Sequence, residues 1–136
     1  MLLLSGCNLF LPKESTNNST SSKSSIVIPS EYVGKEGSFD TFKEEVLEDG
    51  NADILFFTGT DCTKCEEHEL RLISWYNNNF IPVSVYKVDF DKEVEMRNKY
   101  NVSQKDTFVR LDDNGNISAI LVSPSEIELI NFLARR

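Results

Sequence analysis

Basic residues are scarce in this chain: 14 Lys and Arg stand against 22 Asp and Glu, for a formal net charge of -8. A sequence-independent hold on nucleic acid needs a segregated basic patch to neutralise phosphates. None is visible, and nucleic acid is excluded as a partner. Long apolar runs are missing as well. The longest falls far below the roughly 20 residues of a membrane-spanning helix, so the body of the chain is expected to be soluble. Histidine occurs once, at His68, and cysteine three times, at Cys7, Cys62 and Cys65. That is too few cysteines for a small disulfide-stapled framework. What the chain does have is 136 residues, 40% of them apolar and nine of them Phe. This is enough for one compact core and too little for two.

The start reads Met1-Leu2-Leu3-Leu4-Ser5-Gly6-Cys7. Leu4-Ser5-Gly6-Cys7 resembles the lipobox of bacterial lipoproteins, in which small residues precede a cysteine that is diacylated and becomes the new N-terminus. On this reading residues 1–6 are the remnant of a signal peptide, shorter than the usual basic and apolar leader, and Cys7 carries the lipid. From Ser15 to Ser25, ten of eleven residues are Ser, Thr or Asn. Such a segment has nothing to bury against its ordering entropy. Residues 7–30 are therefore expected to form a lipidated tether, with a reach of about 25–30 Å if it behaves as a random coil. The protein should be extracytoplasmic and lipid-anchored to a bacterial cell membrane, because two acyl chains give stable anchoring where one does not.

A folded domain is expected over residues 31–136. Phe39, Phe42 and Val46 fall at i, i+3 and i+7 between Ser38 and Gly50, which predicts a short amphipathic helix. Ala52 to Thr58 reads as a strand buried on both faces. Leu70, Ile73 and either Tyr76 or Trp75 repeat at helical spacing until Asn77-Asn78-Asn79. Ile81 to Val88 predicts a second buried strand and Asp89 to Tyr100 a charged helical connector. Thr107 to Leu111 and Ile117 to Val122 flank an Asn-Gly turn and should pair as a hairpin. Ser123-Pro124-Ser125-Glu126 supplies a capping box, with Ser123 at N-cap, Pro124 at N1 and Glu126 at N3. Ile127, Ile130 and Leu133 would then be the buried stripe of the last helix. Two strands joined by a helix must lie parallel, so the expected architecture is α/β, a mixed sheet flanked by helices.

The chemistry is concentrated in Cys62-Thr63-Lys64-Cys65, placed after a buried strand and at the start of a helix. Two intervening residues let the sulfurs reach bonding distance, and a helix N-terminus favours a thiolate on the first cysteine. Cys62 is the expected nucleophile, and Cys65, one turn inward, the resolving thiol. No second cysteine pair exists to complete a zinc site. A purely structural disulfide is less favoured, because a four-residue loop restrains the unfolded chain little.

From residue 31 onward the sequence resembles the thioredoxin family, with the order of elements matching throughout. Phe57 precedes the active site, Tyr86-Lys87-Val88-Asp89-Phe90-Asp91 resembles the following strand, and Tyr100-Asn101-Val102 matches a Tyr-Gly-Ile type segment. The resemblance implies a thioredoxin-like fold with a central four- to five-stranded mixed sheet. It implies thiol–disulfide exchange with protein thiols through Cys62 and Cys65, and a proton-network or electrostatic role for Lys87. The disulfide is itself the redox group, so no organic cofactor is required, and a monomer is expected. Three departures stand out. Asp61 replaces the family's tryptophan and Thr63-Lys64 its Gly-Pro. Phe56 replaces a buried acid. Asp106 falls at the cis-proline position, where a cis bond without proline costs about 3–4 kcal/mol, so the bond before Asp106 should be trans. Asp106 is accordingly a candidate proton acceptor for Cys65 in place of the missing acid. The alternative function is a lipoprotein that binds or delivers copper or zinc through Cys62, Cys65, His68 and Asp106. Against that, His68 lies among Glu66, Glu67 and Glu69, and a solvent-exposed helix histidine is the simpler expectation.

Overall fold

The computed structural model describes residues 36–135. The expected signal remnant, Cys7 and tether lie outside the described residues. Five strands form one sheet in the order β1-β3-β2-β4-β5: β1 Phe39–Thr41, β2 Asp53–Thr58, β3 Ser84–Asp89, β4 Thr107–Leu111 and β5 Ile117–Val122. β1, β3 and β2 run parallel, while β4 is antiparallel to both β2 and β5. Three helices complete the domain: α1 Thr63–Asn78, α2 Val94–Lys99 and α3 Glu126–Ala134. None of the described helices is long and apolar enough to cross a membrane.

β2 lies at the centre of the sheet, and its run Ile54-Leu55-Phe56-Phe57 is wholly buried. A strand's side chains alternate between faces, and both faces are covered here. Ile54 and Phe56 join Cys65, Leu72, Tyr76, Phe108, Leu129 and Phe132 in the layer under α1 and α3. Leu55 and Phe57 join Val88, Met96, Tyr100 and Val109 in the layer under α2. The parallel β2–β3 pair and the β4–β5 hairpin therefore stand as the sequence predicts. The hairpin turn is held by the Asp112 carboxylate, which accepts from the N–H groups of Asn116 and Asn114 at 2.9 Å each.

Three local expectations are corrected. The helix predicted over Phe39 to Val46 is strand β1 followed by a 3-10 helix, Glu44–Glu48. A spacing of three also puts two residues on opposite faces of a strand, and Phe39 packs into the α1 layer while Phe42 packs into the α2 layer. Gly37 permits this strand entry. Its N–H donates to the Ile81 carbonyl at 2.7 Å, and a Cβ there would come within 2.3 Å of the Val83 carbonyl oxygen. In α1 the buried stripe is Cys65, His68, Leu72 and Tyr76, at i, i+3, i+7 and i+11, and Leu70 and Ile73 are exposed. The capping box of α3 is Ser125 with Glu128, two residues later than predicted. That shift moves the buried stripe to Leu129, Phe132 and Leu133 and leaves Ile127 65% exposed.

The Glu128 carboxylate accepts from the Ser125 N–H at 2.8 Å and from the Ser125 hydroxyl at 2.7 Å. Chiefly the backbone bond, then the hydroxyl, hold its pKa below the usual carboxylate range against a small opposing effect of desolvation. A depressed pKa contributes stability that is present above the unfolded value, about 4.3, and lost as pH falls through the folded value. The melting-temperature gap between the native chain and Glu128→Gln is therefore expected to be largest at neutral pH and to close in acid. Melts followed by circular dichroism across pH 7 to 2 check this; a gap independent of pH would contradict it.

Candidate functional site

At the C-terminal end of β2 the chain turns through Gly59, Thr60 and Asp61, with Asp61 at φ 55°, and delivers Cys62 to the N-cap of α1. Lys105 braces this turn. Its Nζ donates to the Thr60 carbonyl at 2.6 Å and pairs with Asp91 at 3.1 Å. The side chain passes so close that a Cβ on Gly59 would lie 2.9 Å from the Lys105 Cε. Neither Lys105 nor Gly59 carries a motif that marks this job in the sequence.

Cys62 and Cys65 are joined as a disulfide, with their Cα atoms 5.2 Å apart. The two sulfurs are not equivalent. Cys62 is partly exposed, and its Sγ accepts from the Cys65 N–H at 3.2 Å, whereas Cys65 is completely buried. An outer sulfur at a helix N-terminus faces unpaired N–H groups and the positive end of the helix dipole. Lys64, Asp61, Glu66 and Glu67 surround it and are all exposed.

His68 is not the exposed residue that its acidic neighbours suggest. It is 3% exposed, and its Nδ1 lies 2.6 Å from the Asp106 Oδ1. The three glutamates point elsewhere: Glu66 and Glu67 are exposed, and Glu69 pairs with Lys87 at 2.5 Å. The position i+3 from Cys65 turns His68 inward, where its ring meets Phe108 edge-on with centroids 5.8 Å apart. Phe108 in turn stacks on Phe56 at 4.3 Å. Phe56 and Lys87 are register partners across β2 and β3, and the Lys87 ammonium reaches over to Glu69 on α1.

Asp106 ends the loop before β4 at φ 60°, and no cis peptide bond occurs among the described residues. Its N–H donates to the Phe57 carbonyl and its carbonyl accepts from the Ser123 N–H, each at 2.8 Å. Asp106 is 2% exposed, and its second carboxylate oxygen, Oδ2, is buried without a hydrogen-bond partner. Asp and Asn tolerate the left-handed region better than most residues, and Asn101 at φ 55° uses the same tolerance where the resemblance has glycine. A carboxylate buried this deeply needs its partner; removing one member of such a pair typically costs about 3–5 kcal/mol.

The sequence brings Cys62, Cys65, His68 and Asp106 to one end of the sheet, but they do not form the four-ligand set of the metal-binding alternative. Among the described residues no group of three or more His, Cys, Asp or Glu is arranged to hold a metal ion. The sulfurs are bonded to each other, and His68 Nδ1 is engaged by Asp106.

The backbone at position 106 needs an N–H to donate to the Phe57 carbonyl and a positive φ, neither of which proline offers. Asp106→Pro is expected to be less stable than Asp106→Gly by roughly 2–4 kcal/mol, the sum of a lost hydrogen bond and a mismatched φ. Both variants lack the carboxylate, so urea denaturation of the pair isolates the backbone effect; equal midpoints would refute it.

No protein-family model and no curated protein matches the sequence. Solved structures do. Trxlp from Edwardsiella tarda superposes with a TM-score of 0.60 at 20% identity, covering 71% of this chain and 99% of that one. The thioredoxin of Malassezia sympodialis gives 0.61 at 18% identity, over 74% and 92%. The germline-specific thioredoxin Deadhead of Drosophila melanogaster gives 0.57 at 30% identity, over 67% of this chain and 86% of its own. The first two are similar in fold, and the third adds sequence to the same conclusion: the chain belongs to the thioredoxin family.

Proposed function

We propose that this protein is a thiol–disulfide oxidoreductase that exchanges electrons with protein thiols, held outside the cytoplasm by lipid on Cys7. The observation that carries the chemistry is the unequal sulfur pair, with Cys62 reachable at the helix N-terminus and Cys65 sealed beneath it. In the reducing direction the Cys62 thiolate attacks a partner disulfide, forming a mixed disulfide and releasing one partner thiolate. Cys65 then loses its proton and attacks the Cys62 sulfur. The Cys62–Cys65 bond forms, the second partner thiolate leaves, and two electrons have passed to the partner.

Phe56 supplies no acid for the Cys65 proton. Asp106 takes that role, because it is bonded to a residue one helical turn from Cys65, and neighbours at that spacing have Cβ atoms about 5–6 Å apart. The role of Lys87 is electrostatic, exerted from β3 through its pairing with Glu69. For the anchor, the support is in the sequence: Leu4-Ser5-Gly6-Cys7 followed by a Ser/Thr/Asn tether. The acidic domain, with 21 acidic and 12 basic residues over positions 31–136, is repelled by anionic lipid and held off the bilayer surface.

Equilibration of the full chain in graded glutathione redox buffers, followed by mass-tagging of free thiols, should show Cys62 and Cys65 titrating together as one two-electron couple. Cys65→Ser should accumulate a mixed disulfide through Cys62, and Cys62→Ser should accumulate none. A pair that stays oxidised across the whole series, or trapping that is indifferent to which cysteine is replaced, would reject the redox reading. The anchor is tested separately: incorporation of a labelled fatty acid during expression in bacteria should depend on Cys7.

A further inference from the structure

The half-paired carboxylate of Asp106 carries an inference that rests on the redox reading above and extends it to a residue that reading does not use. Nearly all buried polar atoms in native proteins have a partner, and a buried exception calls for an explanation. Asp106 Oδ1 has His68 Nδ1 at 2.6 Å, while Oδ2 is buried and has none. In the disulfide form Cys65 has no proton to share. On reduction it acquires an S–H inside the layer that His68 enters: Cys65, Phe56 and Phe108 belong to one cluster, and the His68 ring sits edge-on to Phe108.

We propose that His68 is the positioning residue of the resolving step, holding Asp106 by Oδ1 so that Oδ2 is left free to accept the Cys65 proton. The imidazole N–H donates to Oδ1 and fixes the carboxylate in a site sealed from water, where a polar group needs a partner. When the mixed disulfide forms at Cys62, the Cys65 S–H gives its proton to Oδ2, the Cys65 sulfur attacks the Cys62 sulfur, and the partner leaves as a thiolate that is protonated from solvent. Asp106 ends protonated at Oδ2 and still bonded to His68 at Oδ1, and it releases the proton to solvent before the next cycle. Of the other charges on α1 and on the loop before β4, Lys64, Glu66 and Glu67 are exposed, and Arg71 pairs with Glu126. Glu69 is paired with Lys87, and Lys105 with Asp91 and the Thr60 carbonyl. His68 is thus the partner that the structure gives the acceptor.

The two half-reactions separate this role from a structural one. With the full chain and oxidised glutathione as the probe, attack by Cys62 and resolution by Cys65 are followed by rapid quenching and mass-tagging. His68→Leu is expected to slow resolution about tenfold or more, within the range of general acid–base effects, while leaving the Cys62 attack rate within about twofold. His68→Asn, whose side-chain amide can donate from a position close to Nδ1, should recover most of the lost rate. In an Asp106→Asn background, His68→Leu should have no further effect on resolution. Slowing of both steps alike, or no rescue by Asn, overturns the proposal and leaves the redox reading standing; failure of native chain to form the mixed disulfide overturns both. If His68→Leu fails to fold, the native protein still decides: the Asp106 carboxyl carbon resonance should shift between the disulfide and dithiol forms. An unmoved resonance rejects the proposal.

Discussion

A carboxylate sealed from water has to be met by an opposite charge or by donors, and at the cysteine end of this domain Asp106 meets that requirement in a contact between α1 and the loop before β4. His68 and Asp106 are both buried and bonded to each other. Each would be costly to bury without the other. The contact ties the helix that carries the cysteines to the strand that pairs beside β2, so the position of the disulfide and the position of the acid cannot vary independently. The main chain of Asp106 adds two more ties, to Phe57 at the end of β2 and to Ser123 beyond β5. One residue thereby fastens the helix, the central strand and the start of the segment leading into α3.

The same arrangement explains why an apolar residue fits where the resemblance leads one to expect an acid. Phe56 comes up from β2 under α1 and stacks on Phe108 of β4, with rings nearly parallel and centroids 4.3 Å apart. Offset-stacked rings of this kind contribute about 0.5–1.5 kcal/mol beyond their buried area. A carboxylate at position 56 would lose that stack and would add a buried negative charge to an apolar layer. With the acid on a loop residue and not in the middle of the strand, this layer stays apolar, and the carboxylate is bonded to the helix that carries the cysteines. The loop has to accept a left-handed residue at 106, which Asp tolerates and most residues do not.

How much of this is legible without coordinates depends on whether the signal is local. β2, the β4–β5 hairpin and the cysteine-bearing helix are written in short apolar runs, an Asn-Gly turn and a Cys-x-x-Cys spacing, and each appears where those signals put it. The first strand is different, because Phe39 and Phe42 satisfy a helical face and two faces of a strand equally well. Only the close approach of Gly37 to Ile81 and Val83 settles the choice, and that is a tertiary fact. At α3 two Ser-x-x-Glu boxes overlap, Ser123 with Glu126 and Ser125 with Glu128; the second is the one used, and both isoleucines of the helix, Ile127 and Ile130, are exposed. His68 had a readable signal, since it falls on the i, i+3, i+7, i+11 stripe with Cys65, Leu72 and Tyr76. Its three glutamate neighbours pointed to solvent instead. The bond to Asp106 joins residues 38 positions apart, which no local pattern discloses.

Electrostatics then divides the site into an outer and an inner half with opposite needs. Outside, Cys62 meets solvent among Asp61, Glu66 and Glu67, with Lys64 as the opposing charge. At the ionic strength of most media these exposed charges act over roughly 8–10 Å and are heavily screened, so they bias which partner surfaces approach more than they alter the sulfur. Inside, Cys65 has no water to exchange protons with, and any proton it loses must pass to a group already in the interior. An acid buried in such a layer demands a dedicated partner. His68 meets that demand from the same helix that holds the cysteines. A partly exposed outer sulfur is thus retained at the surface, while the layer beneath it holds a bonded histidine and loop aspartate in place of a strand acid.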